Sequence, residues 1–175
     1  MMAKMKLMSK QDQARMLQYL DSEEEHILAK TIYSLLLDGL CVGEIVRLDC
    51  ENLRNIEDGN CILELASSGR SANHYTGYLL SKVSIEALLK LKDAKNEKAG
   101  PVFRSANGKR MTAHELSRIL TKSLEKAGSE SYSSDSVRKT GIMRQWLSMA
   151  PKPSQLSQDV NIDMVNAYLK EIDQK

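Results

Sequence analysis

The sequence predicts a mostly α-helical domain with a small three-stranded antiparallel sheet set into it. Apolar residues recur at helical spacing in separate stretches at 27–36, 83–94, 116–124 and 162–172. Between the first two lie three strand-like runs, 53–56, 61–65 and 74–80, grouped around turn signals. No repeat, low-complexity tract or linker interrupts the 175 residues, so the chain reads as a single domain, 1–175.

Local signals justify the elements in order. Ser22-Glu23-Glu24-Glu25 has the form of a capping box, opening a helix whose apolar stripe includes Ile27, Leu28, Ile32, Leu35 and Leu36. Gly39 is its expected stop, and a short helix should follow over 44–48. Asp58-Gly59 separates the first two strands, and Ser67-Ser68-Gly69 turns the chain into the third. Ile85, Leu88, Leu89 and Leu91 then mark a helix over 83–94. After Gly100-Pro101 and an Asn107-Gly108 turn, Thr112-Ala113-His114-Glu115 forms a second capping box. It opens a helix bearing Leu116, Ile119, Leu120 and Leu124 that Gly128 should close. Ser133 or Ser134 caps the next helix, which carries Arg138 and should end before Pro151; a last helix is expected over 162–172.

Composition excludes several classes. No apolar run approaches the roughly 20 residues that span a bilayer, and the start of the chain has lysines without the apolar segment of a signal peptide. No membrane partner is expected. Cys41, Cys50 and Cys61 are odd in number and lack C-x-x-C spacing, so neither a disulfide framework nor a metal site is expected. A cytoplasmic location is the default. Net charge is only +2, but it is unevenly distributed. Residues 21–64 hold eleven acids against three Lys and Arg, whereas 104–144 hold nine Lys and Arg against four acids. A polyanion would be drawn to the second region.

Two segments stand out against this background. One is Gly39-Leu40-Cys41-Val42-Gly43-Glu44-Ile45-Val46-Arg47-Leu48, and the other is Asp135-Ser136-Val137-Arg138-Lys139-Thr140. Together they resemble the two arginine signatures of the tyrosine recombinases, or phage integrases, written G-L-R-x-x-E-L-x-x-L and H-x-L-R-R-T. Pro101-Val102-Phe103 and Tyr78-Leu79-Leu80-Ser81 are similar to further family segments, and the order helices, sheet, helices matches the family's catalytic domain. The resemblance implies that fold and double-stranded DNA as partner. It does not include the helical core-binding domain that usually precedes the catalytic one, so half of a DNA clamp is expected.

The family cuts DNA without cofactor or metal. A tyrosine attacks a phosphodiester while two arginines and one or two histidines stabilise charge on the phosphate, and a hairpin lysine acts as general acid. The resemblance places Cys41 at the first arginine and Asp135 at the first histidine, and retains the second arginine as Arg138. Gln158 falls at the final histidine, and Tyr168 near the position of the nucleophile. A cysteine has no guanidinium fork for two phosphate oxygens, and a carboxylate beside phosphate is electrostatically wrong, although Asp in a first helical turn is favourable. Arg70 offers a cation near the hairpin turn but is a poor proton donor; His74 lies close by. Candidate DNA-phosphate contacts are Arg70, Lys109, Arg110, Arg138 and Lys139.

Three functions follow. The first is a DNA-binding protein of recombinase fold defective in strand cleavage, acting as a regulator, an architectural factor or an inactive recombinase partner. The second is an active site-specific recombinase using Tyr168. The third is a protein-interaction module without DNA function. Association with itself or a related recombinase on DNA is expected to be weak in the absence of DNA.

Overall fold

The computed structural model describes residues 6–66, 75–94 and 98–148. Ser9 opens the first helix, α1 (Lys10–Asp21), by accepting a hydrogen bond at its Oγ from the Asp12 N–H. Met16 and Leu20 bury one side of α1. The sequence pattern did not bring this helix out, because Gln13 occupies the third core-facing position. Its amide is buried, donating to the Met8 carbonyl and accepting from Arg144.

The expected capping box at Ser22 does not form. The Ser22 hydroxyl instead donates to the Tyr19 carbonyl and closes α1, because a helix end just upstream has carbonyls to satisfy. Glu23 occupies the N-cap position without a capping bond, and a 3-10 turn, Glu24–His26, leads into α2 (Ile27–Leu37). Ile32, Tyr33 and Leu35 are fully buried, and Ala29, Ser34 and Leu36 nearly so. This helix is apolar almost all round and runs through the core, packing against α1 and the later helices.

α2 ends in a Schellman motif: Leu40 N–H reaches Leu35 O, and Gly39 N–H reaches Leu36 O. Gly39 has φ +102°, the left-handed backbone that glycine adopts without penalty. The short helix expected over 44–48 starts earlier, as α3 (Val42–Ile45), because the Glu44 carboxylate accepts the Cys41 N–H at 2.8 Å.

The structure corrects the first strand. Residues 53–56 are not extended: Cys50–Leu53 is a 3-10 turn and Arg54–Glu57 is α4. Leu53 and Ile56 are both buried. A spacing of three puts them on one helical face but on opposite faces of a strand, and the Asp49 N–H bonded to Asn52 Oδ1 starts the turn. Among the described residues the sheet therefore has two antiparallel strands, β1 (Ile62–Ala66) and β2 (Tyr75–Leu79), with Ile62 opposite Leu79 and Leu63 opposite Tyr78. Leu63 and Leu65 point into the core.

α5 (Lys82–Ala94) follows directly. The Val102-Phe103 segment is buried and ties back through the Val102 N–H to Leu48 O. α6 (Ala113–Lys126) has the expected capping box between Thr112 and Glu115 and buries Leu116, Leu120 and Leu124. Ser133 caps α7 (Ser134–Ser148), its Oγ accepting the Ser136 N–H. The helix expected over 162–172 lies outside the described residues. Among the described residues no helix is long and apolar enough to cross a membrane.

Candidate functional site

α7 crosses the C-terminal end of α2 at a glycine. A Cβ on Gly141 would stand 1.9 Å from the Leu37 carbonyl oxygen, so only glycine permits this approach. Arg138 lies three residues earlier on the same helix. Its Nε donates to the Gly39 carbonyl at 2.8 Å, across 99 positions of sequence. The two segments singled out in the sequence therefore meet, and the Gly39 turn anchors the arginine.

Glu44 organises the other side. One carboxylate oxygen accepts the Cys41 N–H at 2.8 Å, and the other accepts the Tyr78 hydroxyl at 2.5 Å. This joins the start of α3 to β2. Burial opposes ionisation of Glu44, but the Cys41 and Tyr78 hydrogen bonds and the Arg138 field together hold its carboxyl below the usual glutamate range. Burial and the Glu44 carboxylate raise the Tyr78 hydroxyl well above the ordinary tyrosine range. Tyr78 thus donates its hydroxyl hydrogen to Glu44 and keeps its proton in the ordinary pH range.

Arg138 is half-buried. Among the described residues, its terminal guanidinium nitrogens have no hydrogen-bond partner and no carboxylate within ion-pair distance. Glu44 acts on it through space only. The result is a cation fixed at one nitrogen, with its fork open.

The other predicted residues are placed differently. Cys41 is half-buried at the N-cap of α3, so a thiol stands where the resemblance puts the first arginine. Asp135 lies in the first turn of α7 and pairs with Lys139 at 2.7 Å. Arg110 donates to Val46 O at 2.8 Å and to Asp49 Oδ1 at 2.6 Å, joining the 104–110 turn to the segment after α3. Lys109 is exposed on that turn. Arg70, His74, Gln158 and Tyr168 lie outside the described residues. Arg118, Lys122 and Lys126 are exposed at intervals of four along α6.

In the sequence Glu44 and Tyr78 stand out only as members of two separate family-like segments, and nothing there shows their bond. The bond of Glu44 to Cys41 is the visible half, since Glu44 stands three residues after Cys41 as in a capping box. Nor does the sequence mark Asp38, which is buried and accepts both the N–H and the hydroxyl of Ser81. Burial pushes the Asp38 carboxyl up, against those bonds. Among the described residues no group of three His, Cys, Asp or Glu side chains is placed to hold a metal.

No protein-family model matches the chain, and no curated protein matches its sequence. Solved structures do match its fold. XerA recombinase aligns with a TM-score of 0.72 and 14% identity, over 98% of this chain and 63% of that one. The Tn1549 transposon integrase, in complex with circular intermediate DNA, aligns at 0.65 and 17% identity, over 95% of this chain and 61% of that one. The same integrase with transposon right end DNA aligns at 0.61 and 15%. The chain is thus similar in fold to tyrosine recombinase catalytic domains and spans less than two thirds of XerA recombinase.

Proposed function

We propose that this chain is a double-stranded DNA-binding protein of tyrosine recombinase fold that grips a backbone phosphate through Arg138 and is defective in strand cleavage. One observation carries the reading: Arg138 is held through Nε by the Gly39 carbonyl, and among the described residues its remaining donors are open. A guanidinium prepared in this way suits two oxygens of a phosphate. Preorganisation by Gly39, with Glu44 close enough to favour the charge, lowers the entropy lost on binding. Lys109 and the exposed Arg118, Lys122 and Lys126 add cationic charge for the backbone. That solved neighbours of this fold include an integrase on DNA supports the same partner.

The defect in cleavage rests on what accompanies Arg138. Cys41 cannot supply a second guanidinium, and Asp135, paired with Lys139, supplies no cation where the family's histidine would stand. Each missing transition-state donor costs about 10² to 10³ in rate. Binding needs one good phosphate clamp, whereas cleavage needs several acting together. The role that fits is a regulator, an architectural factor or an inactive recombinase partner.

The test is duplex DNA binding by fluorescence anisotropy over a salt series, each sample also run on a denaturing gel. Salt-sensitive binding without a covalent adduct is the expected outcome. An adduct that disappears in Tyr168→Phe would make the chain an active recombinase instead. No binding at low salt would favour a protein-interaction module.

A further inference from the structure

Asp38 stands where a carboxylate is least expected. It is the C-cap of α2, at 9% exposure, so both burial and the negative end of the helix dipole oppose its charge. Hydrogen bonds offset that cost. Its Oδ2 accepts the Ser81 N–H at 2.8 Å and the Ser81 hydroxyl at 3.1 Å, 43 positions along the chain. Ser81 in turn opens α5, its Oγ accepting the Ser84 N–H at 3.3 Å. Asp38 therefore joins the end of α2 to the start of α5.

What this join holds is the turn that anchors the arginine. The residue after Asp38 is Gly39, whose carbonyl accepts Arg138 Nε at 2.8 Å. On the far side of that turn, Glu44 accepts the hydroxyl of Tyr78, three residues before Ser81. The segment 39–43 is thus tied at both ends to one stretch of chain, 78–81, by two carboxylates. Gly39 has no side chain to fix its place, and at φ +102° it is the residue type with the widest backbone freedom. The Schellman bonds orient the Gly39 turn relative to α2 alone. Asp38 fixes the end of α2 against α5, and the close approach at Gly141 fixes it against α7.

We infer that Asp38 is a positioning residue of the phosphate clamp: it holds the Gly39 carbonyl where Arg138 Nε reaches it, and acts on DNA only through that arginine. This role rests on the DNA reading above for its consequence, and on the Asp38–Ser81 bonds for its geometry. Its signature is dependence on an acceptor oxygen, not on charge. An asparagine at position 38 keeps an oxygen for the Ser81 N–H, whereas an alanine leaves that N–H without one.

Two measurements on Asp38→Ala and Asp38→Asn test this. The first needs no DNA: solvent exchange of the Arg138 Nε–H, followed by NMR on the full chain with isotopically labelled arginine. The Nε–H should be protected in wild type and Asp38→Asn, and exchange about tenfold faster or more in Asp38→Ala. The second is a double-mutant cycle in duplex binding by anisotropy, below the unfolding transition. Asp38→Ala should lower affinity by about tenfold on its own, and by less than about twofold once Arg138 is alanine. Asp38→Asn should stay within about threefold of wild type. A loss caused only by a weakened fold would be equal in both backgrounds, and that result would overturn the inference. Wild-type protection of the Nε–H in Asp38→Ala would overturn it too, with the DNA reading left standing. Absence of duplex binding by wild type would overturn the DNA reading, and the exchange measurement then still decides whether Asp38 holds Arg138. Ser81→Ala, which removes one of the two bonds, should move both readouts the same way by less, and serves if Asp38→Ala does not fold.

Discussion

Arg138 and Arg110 are both arginines held by a distant backbone carbonyl, yet they end in opposite electrostatic states. Arg138 reaches Gly39 O through Nε, and among the described residues no carboxylate lies within ion-pair distance of it. Arg110 reaches Val46 O through one terminal nitrogen and spends the other on Asp49, at 2.6 Å. Arg110 is therefore a cross-link whose charge is matched within the protein, and Arg138 a cation open to an outside anion. The contrast teaches that a count of basic residues overstates a nucleic-acid surface. Within 104–144, Arg104 also spends its guanidinium on carbonyls, those of Ala99, Pro101 and Gly108.

The contrast breaks most completely at Gly141. Gly141→Ala drives a methyl into the Leu37 carbonyl, so α7 must move off α2. A loss of several kcal/mol is expected, at or above the usual 1–3 kcal/mol of overpacking. Urea denaturation measures it. DNA affinity measured below the unfolding transition should fall with it, because the Gly39–Arg138 contact depends on that approach.

Arg138→Ala sharpens the comparison. Losing one charge-assisted phosphate contact should cost about 1.5–3 kcal/mol of DNA affinity, roughly tenfold or more, and reduce the salt slope by about one. Folding stability should change by less than about 1 kcal/mol. Arg110→Ala should do the reverse, costing about 0.5–1 kcal/mol of stability with DNA affinity within about threefold of wild type. Anisotropy and urea melts on both variants separate the two patterns.

Glu44 gives the comparison a pH signature. Its carboxyl lies below the usual range when folded, so its contribution is present above the unfolded pKa and is lost as pH falls through the folded one. Wild type should therefore lose more stability than Glu44→Gln on acidification from about pH 6 to about pH 3. Asp12 is lowered as well, but it titrates in both proteins and cancels in the difference. Asp38, raised by burial, works in the opposite sense, its ionisation costing stability as pH rises. It cancels likewise.

The smallest effect concerns Lys139. Asp135→Asn releases it from an exposed ion pair, and DNA affinity should rise by no more than about threefold. Unchanged affinity would mean that Lys139 lies off the DNA path.

The parts of the fold legible in sequence were those set by neighbours in the chain. Thr112 and Glu115 satisfy each other within one helical turn, and Gly39 turns the backbone where α2 must stop, so both announced themselves. The 53–56 segment misled because four residues hold too little periodicity to separate strand from helix. Its outcome was decided by which faces of Leu53 and Ile56 the core accepts. In the site, the meeting of Arg138 with the Gly39 turn followed from the family resemblance. The pairing of Arg110 with Asp49 and the bond between Tyr78 and Glu44 span 61 and 34 positions, and no local pattern encodes them. Gly141 could be read as a glycine within a helix, but not as the point where two helices touch.

The measurement that bears most directly on this account is the salt dependence of duplex DNA binding for wild type, Arg138→Ala and Arg110→Ala in parallel. Each sample is carried onto a denaturing gel. The account predicts salt-sensitive binding by wild type and Arg110→Ala, a loss of about tenfold or more in Arg138→Ala, and no covalent adduct in any lane. Equal affinity for wild type and Arg138→Ala would contradict it, because the open arginine would then not be what holds the phosphate.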